Sequence, residues 1–116
     1  ARSPRPAIED KAMRFAPVID YLRSGLAQRL TLDDLAAVAQ LSPFHFLRRF
    51  HAQFGVTPQQ MLMALRLGKA KQLLAVGESP AQVAAATGLA DQAHLTRAFA
   101  RRYAVTPGRY QRQLRR

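Results

Sequence analysis

The chain is 116 residues long, which suits one ordinary domain or two very small units sharing a core. Hydrophobic residues make up 48% of it, so it can bury a core and wholesale disorder is excluded. Without cysteine there is no disulfide, thiolate metal site or cysteine nucleophile, and 18 Lys+Arg against 7 Asp+Glu, a formal net charge of +11, point to a polyanionic partner, nucleic acid first.

The charge is uneven along the chain. Residues 1–34 hold six basic and five acidic side chains, whereas residues 35–116 hold twelve basic ones and only Glu78 and Asp91 as acids. The last two-thirds should therefore face the polyanion. Most of the basic residues are arginine, whose planar fork suits phosphates and the guanine edge. No apolar run reaches the roughly 18–20 residues of a membrane span, and no charged-then-apolar leader opens the chain, so no membrane partner is expected.

The opening Ala1-Arg2-Ser3-Pro4-Arg5-Pro6 reads as a linker or frayed end, and residues 1–12 are assigned to such an extension. Helices follow, because strand alternation is missing and Ala, Leu, Gln and Arg dominate. The first is expected over about Met13–Ser24, with Phe15, Val18, Ile19 and Leu22 on one face and Gly25 as its stop; Pro17 argues for a start later than Met13.

Six start signals come next. Thr31, Ser42, Thr57, Ser79, Asp91 and Thr106 each read as an N-cap, and Pro43, Pro58, Pro80 and Pro107 follow four of them directly. The cap accepts a bond from an otherwise unpaired N–H, while proline has no N–H to leave unpaired and already holds a helical φ. Helices are predicted near 31–39, 42–53, 57–76, 79–87, 91–103 and 106–114, joined by connections that allow only close-packed neighbours. The fold class is all-α with seven helices: a first helix-turn-helix subdomain over 13–56, a connecting helix over 57–76 and a second subdomain over 77–116.

The chain repeats itself. At an offset of 48, Thr31, Leu35, Ala36 and Leu41 match Ser79, Val83, Ala84 and Leu89. At an offset of 49, Ser42, His45, Arg48, Phe50, Phe54 and Val56-Thr57-Pro58 match Asp91, His94, Arg97, Phe99, Tyr103 and Val105-Thr106-Pro107. The change of offset falls at Ala90. Each copy is a short helix, a tight turn and a longer helix. Phe46, Phe50 and Phe54, and in the second copy Leu95, Phe99 and Tyr103, form core stripes at helical spacing. The opposite face, with Phe44, His45, Leu47 and Arg48 in one copy and Gln92, Ala93, His94, Thr96 and Arg97 in the other, has the arginine-bearing character of a helix that enters a DNA major groove. Between the copies, Pro58–Val76 makes a rod of about 28 Å, with Leu62, Leu65, Leu73 and Leu74 apolar and Arg66, Lys69 and Lys71 charged. Successive major grooves on one face of DNA lie about 34 Å apart.

Residues 31–114 resemble the AraC/XylS family of bacterial transcription regulators. The resemblance is carried by Leu35-Ala36, Leu41-Ser42, His45-Phe46, Arg48, Phe50, Gly55, Thr57-Pro58, Arg66-Leu67, Ala70, Leu73-Leu74, Val83-Ala84, Gly88-Leu89, Asp91, Arg97, Phe99, Thr106-Pro107 and Tyr110. It implies a seven-helix DNA-binding domain of two helix-turn-helix subdomains, promoter activation with RNA polymerase contact, and an N-terminal effector or dimerisation domain beyond this chain. Gln40 and Ala104 stand where the family often has glycine, whereas Gly88 keeps it; Ala93 and Leu95 give the second recognition helix less bulk than usual.

By family position, base readout falls to Phe44, His45, Leu47 and Arg48 and to Gln92, His94, Thr96 and Arg97. Arg48 and Arg97 suit guanine, Gln92 adenine, and Phe44 and Leu47 thymine methyls. Competing readings are core for Phe44 and Leu47, and a phosphate contact or free surface for Arg48. Phosphate contacts are expected from Ser42, Arg49, Thr57, Arg101, Arg102, Thr106, Arg109 and Arg112, helped by helix N-termini at Pro43, Pro58 and Pro107. Ser42 and Asp91 also read simply as caps.

No enzyme, cofactor or metal is expected. A metal site would want more ligands than His45, His51 and His94, with which Asp91 and Glu78 do not cluster, Ser42 and Ser79 are caps and not nucleophiles, and no phosphate-binding glycine-rich loop occurs. The resulting expectation is a sequence-specific binder of double-stranded promoter DNA in the bacterial cytoplasm, at the nucleoid. The alternatives are a non-specific or architectural nucleic-acid binder and a basic protein-interaction or membrane-surface module.

Overall fold

The computed structural model describes the backbone of residues 7–115 and side chains from Phe15 to Arg115. The proline-bearing opening, residues 1–6, lies outside the described residues. Seven helices follow in order: α1 (Ala7–Ser24), α2 (Leu32–Val38), α3 (Pro43–Phe54), α4 (Pro58–Ala75), α5 (Pro80–Ala86), α6 (Gln92–Tyr103) and α7 (Pro107–Leu114). There is no strand among the described residues.

The helix starts follow from local chemistry. Thr31 and Asp34 form a reciprocal capping box, each side chain accepting the other's backbone N–H at 3.2 and 3.1 Å. Thr57 and Gln60 do the same at 2.9 and 3.1 Å. The side chains of Ser42, Ser79, Asp91 and Thr106 accept from the N–H three residues on. Proline opens α3, α4, α5 and α7.

The first helix differs from its expectation, reaching back to Ala7 and running through Pro17. Farther along, the buried side chains of Phe15, Val18 and Leu22 hold the chain helical on both sides of Pro17, which is itself exposed.

The chain divides into two compact units at Met61. The first holds α1, α2, α3 and the opening turn of α4. The second holds the remainder of α4 with α5, α6 and α7, and takes in the loop Leu26–Arg29. In the first unit, Phe15, Val18 and Leu22 of α1 are buried, as are Leu35 and Ala36 of α2 and Phe46 and Phe50 of α3. Phe15 meets Phe46, Phe50 and Phe54 edge-on, with centroids 6.0, 5.7 and 5.9 Å apart. In the second unit the place of α1 is taken by α4, whose Leu67, Ala70 and Leu74 pack with Val83, Ala84, Leu89, Leu95 and Phe99. The apolar side of α4 is thus centred on Leu67, Ala70 and Leu74, while Leu65 and Leu73 are only half-buried.

The repeat is present in the backbone. In the two short-to-long helix turns, Leu41 N donates to Ala36 O at 3.0 Å and Leu89 N to Ala84 O at 3.1 Å. Gln40 and Gly88 occupy the same left-handed position, with φ of 59° and 78°. At the ends of the long helices, Gly55 and Ala104 again correspond, with φ of 73° and 62°. The departures from glycine at Gln40 and Ala104 leave the turn geometry unchanged.

Candidate nucleic-acid interface

The long helix of each unit presents one buried and one open face. On α3, Phe46 and Phe50 are buried, Leu47 is half-buried, and Phe44, His45, Arg48 and Arg49 are exposed. Phe44 is 65% exposed although it is a large apolar side chain, so it is not a core residue. The Arg48 guanidinium carbon lies 5.5 Å from the Phe44 ring centroid, one helical turn away, and the His45 ring meets the same phenyl edge-on at 5.8 Å. These residues form one continuous exposed group at the start of α3.

On α6, Leu95 and Phe99 are buried, Gln92, Ala93, Arg97, Arg101 and Arg102 are exposed, and His94 and Thr96 are half-buried. Arg97 stands where Arg48 stands in the first unit, and Ala93 where Phe44 stands. Thr96 Oγ1 donates to Gln92 O at 2.9 Å, which uses its proton and leaves its methyl group and lone pairs free. The Arg102 guanidinium lies 5.8 Å from the Tyr103 ring.

The two histidines share a local role at their helix starts. Ser42 Oγ accepts from His45 N at 3.3 Å and lies 2.8 Å from His45 Nδ1. In the second unit Asp91 Oδ1 accepts from His94 N at 2.8 Å, and the N–H of the extra turn residue Ala90 donates to His94 Nδ1 at 3.4 Å. At His94 the Ala90 N–H donor makes Nδ1 the acceptor, which places the proton of the neutral ring on Nε2. Ser42, Thr57 and Thr106 are likewise engaged as caps through their side-chain oxygens. Arg109 and Arg112 are exposed on α7.

Three supporting contacts could not be read from local sequence. Arg66, expected as a surface charge of α4, is half-buried and donates from Nε to Leu26 O at 2.9 Å and from its terminal nitrogen to Gln28 O at 3.0 Å. Burial pushes its pKa down from the ordinary arginine value. Lys71 sets its ammonium 4.8 Å from the Tyr103 ring and 5.8 Å from the Tyr110 ring, linking α4 to α6 and α7. Gln111 donates to Leu74 O, in the last turn of α4, at 3.0 Å and to Glu78 O, in the connection to α5, at 2.6 Å. Among the described residues, no group of three or more His, Asp or Glu side chains is placed to hold a metal ion, and no helix is long and apolar enough to cross a membrane.

A family model described as a helix-turn-helix domain matches residues 35–113. The probable transcriptional regulator LumQ of Photobacterium leiognathi is 36% identical over 106 residues, covering 89% of this chain and 43% of LumQ. The chain spans less than half the length of the curated relatives it matches. The DNA-binding domain of AdpA, a global transcriptional factor solved in complex with a target DNA, superposes with a TM-score of 0.82 at 29% identity, over 88% of this chain and 93% of that one. A transcriptional regulator of the AraC DNA-binding type from Chromobacterium violaceum gives a TM-score of 0.83 at 22% identity, over 91% of this chain and 96% of that one, a likeness of fold. With seven helices, a duplicated helix-turn-helix and these relatives, the chain belongs to the AraC/XylS family of transcription regulators and carries its DNA-binding domain.

Proposed function

We propose that this chain reads promoter DNA sequence-specifically by placing α3 and α6 in adjacent major grooves, as part of a transcription activator. The observation that carries the reading is the equivalence of Arg48 and Arg97: each is exposed on the open face of its long helix, at the same place in a duplicated unit. Both are offered to guanine O6 and N7, with Phe44, His45, Leu47, Gln92, His94 and Thr96 beside them as further base contacts. Arg49, Arg101, Arg102, Arg109 and Arg112 supply phosphate contacts. Ser42, Thr57 and Thr106, whose side-chain oxygens are taken up in capping, bring the backbone N–H groups of their helix starts toward phosphates. The length of α4, about 27 Å for its 18 residues, is comparable with the groove spacing of about 34 Å. RNA polymerase and an N-terminal effector or dimerisation domain are the further partners this reading assigns, and the bacterial cytoplasm is its setting.

Selection from random DNA tests it. A specific regulator prefers its selected duplex to bulk DNA by about 10³-fold or more. Arg48→Ala and Arg97→Ala are then expected to relax base preference at separate positions, each by about 1–3 kcal/mol. Uniform weakening on all sequences by both variants would show that these arginines contact phosphates. The second reading, a non-specific binder, is favoured by the net charge of +11; it predicts little preference between duplexes.

A further inference from the structure

The two long helices are matched at their arginines and mismatched one turn earlier. Phe44 in α3 is 65% exposed and sits 5.5 Å from the Arg48 guanidinium, whereas Ala93 stands in the equivalent place before Arg97 in α6. Exposing a phenyl ring to water is unfavourable in the free protein, so the ring is suited to lose water against an apolar surface. In a major groove the apolar feature is the 5-methyl group of a pyrimidine, and the group best matched to a guanidinium fork is guanine. Because ring and guanidinium are only 5.5 Å apart, they can address only the same or neighbouring base pairs.

Resting on the DNA-reading function above, we propose that the Phe44–Arg48 pair recognises a pyrimidine 5-methyl group in the base pair adjoining a guanine. The methyl itself is read, so 5-methylcytosine takes the place of thymine there and binding at this half-site responds to cytosine methylation. The ring also holds the guanidinium near the helix surface before contact, which lowers the ordering cost of guanine recognition. The α6 half-site, with Ala93 in place of the ring, reads its guanine without this dependence.

The test uses the full 116-residue chain and duplexes selected from random DNA. The guanine read by Arg48 is located as the position whose preference Arg48→Ala abolishes. At the pyrimidines flanking it, thymine is replaced by uracil, which removes only the methyl, and in companion duplexes cytosine is compared with 5-methylcytosine. At one flanking position the wild type is expected to bind uracil about fourfold more weakly than thymine, and 5-methylcytosine about fourfold more tightly than cytosine, the worth of one buried methyl group. Phe44→Ala, at an exposed position that the fold does not depend on, should remove both differences. Ala93→Phe should create the same methyl dependence beside the guanine read by Arg97. Wild-type indifference to the methyl at every flanking pyrimidine, or an undiminished methyl effect in Phe44→Ala, overturns the proposal while leaving sequence-specific binding intact. A selection that enriches no sequence is a different result and overturns the DNA-reading function together with the proposal.

Discussion

Gln40 and Gly88 hold the same left-handed turn position with very different side chains. A side chain there costs roughly 1–2 kcal/mol of backbone strain, partly offset by the smaller entropy it loses on folding. Gln40→Gly and Ala104→Gly are therefore each expected to raise stability by about 0.5–1 kcal/mol, seen as a higher urea midpoint at unchanged slope. Gly55 and Gly88 should respond in opposite fashion and to different degrees. A Cβ at Gly55 meets open space, so Gly55→Ala costs the φ strain alone, about 1 kcal/mol. A Cβ at Gly88 would run into the Leu26 carbonyl oxygen, the Ala27 Cα and the Arg66 guanidinium, so Gly88→Ala should be clearly worse in the same assay. Arg66→Met keeps much of the side-chain volume but leaves the half-buried Leu26 carbonyl without its partner, while that of exposed Gln28 regains water, for an expected loss of about 1–2 kcal/mol.

At the level of helices, the starts were legible because each depends on two or three consecutive residues. Six caps and four prolines announced six helices, and the observed bounds fall within about one residue of the expected ones. Asp91→Ala tests one of them: losing the 2.8 Å bond from His94 N should cost about 0.5–2 kcal/mol and speed hydrogen exchange at that N–H. The start of α1 was not legible, because its continuity through Pro17 comes from packing of Phe15, Val18 and Leu22 and not from local propensity. For the site, the repeat pointed to the open faces of α3 and α6, and the exposure of Phe44 decides against its being core. The contacts of Arg66, Lys71 and Gln111 are not legible in the sequence because their partners lie 32 or more residues away in the chain, beyond any local pattern.

Across the whole molecule the charge is partitioned by sequence. The basic excess lies almost entirely after residue 34, and of the two acids there, Asp91 is used as a cap and Glu78 is exposed. Binding to a duplex should therefore release many counterions and weaken steeply with salt. Arg102→Ala is expected to lower affinity for all sequences alike and to reduce the slope of log K against log salt by at most about 0.9, as one phosphate contact does. An unchanged slope would place Arg102 outside the interface.

The loop Leu26–Arg29 carries a consequence for protein engineering. Surface connections ordinarily absorb insertions and new chain ends with little penalty. This one has two of its carbonyls gripped by Arg66 and passes so close to Gly88 that no side chain fits between them. A permuted or tagged version opened at Ala27 should therefore misfold or melt early.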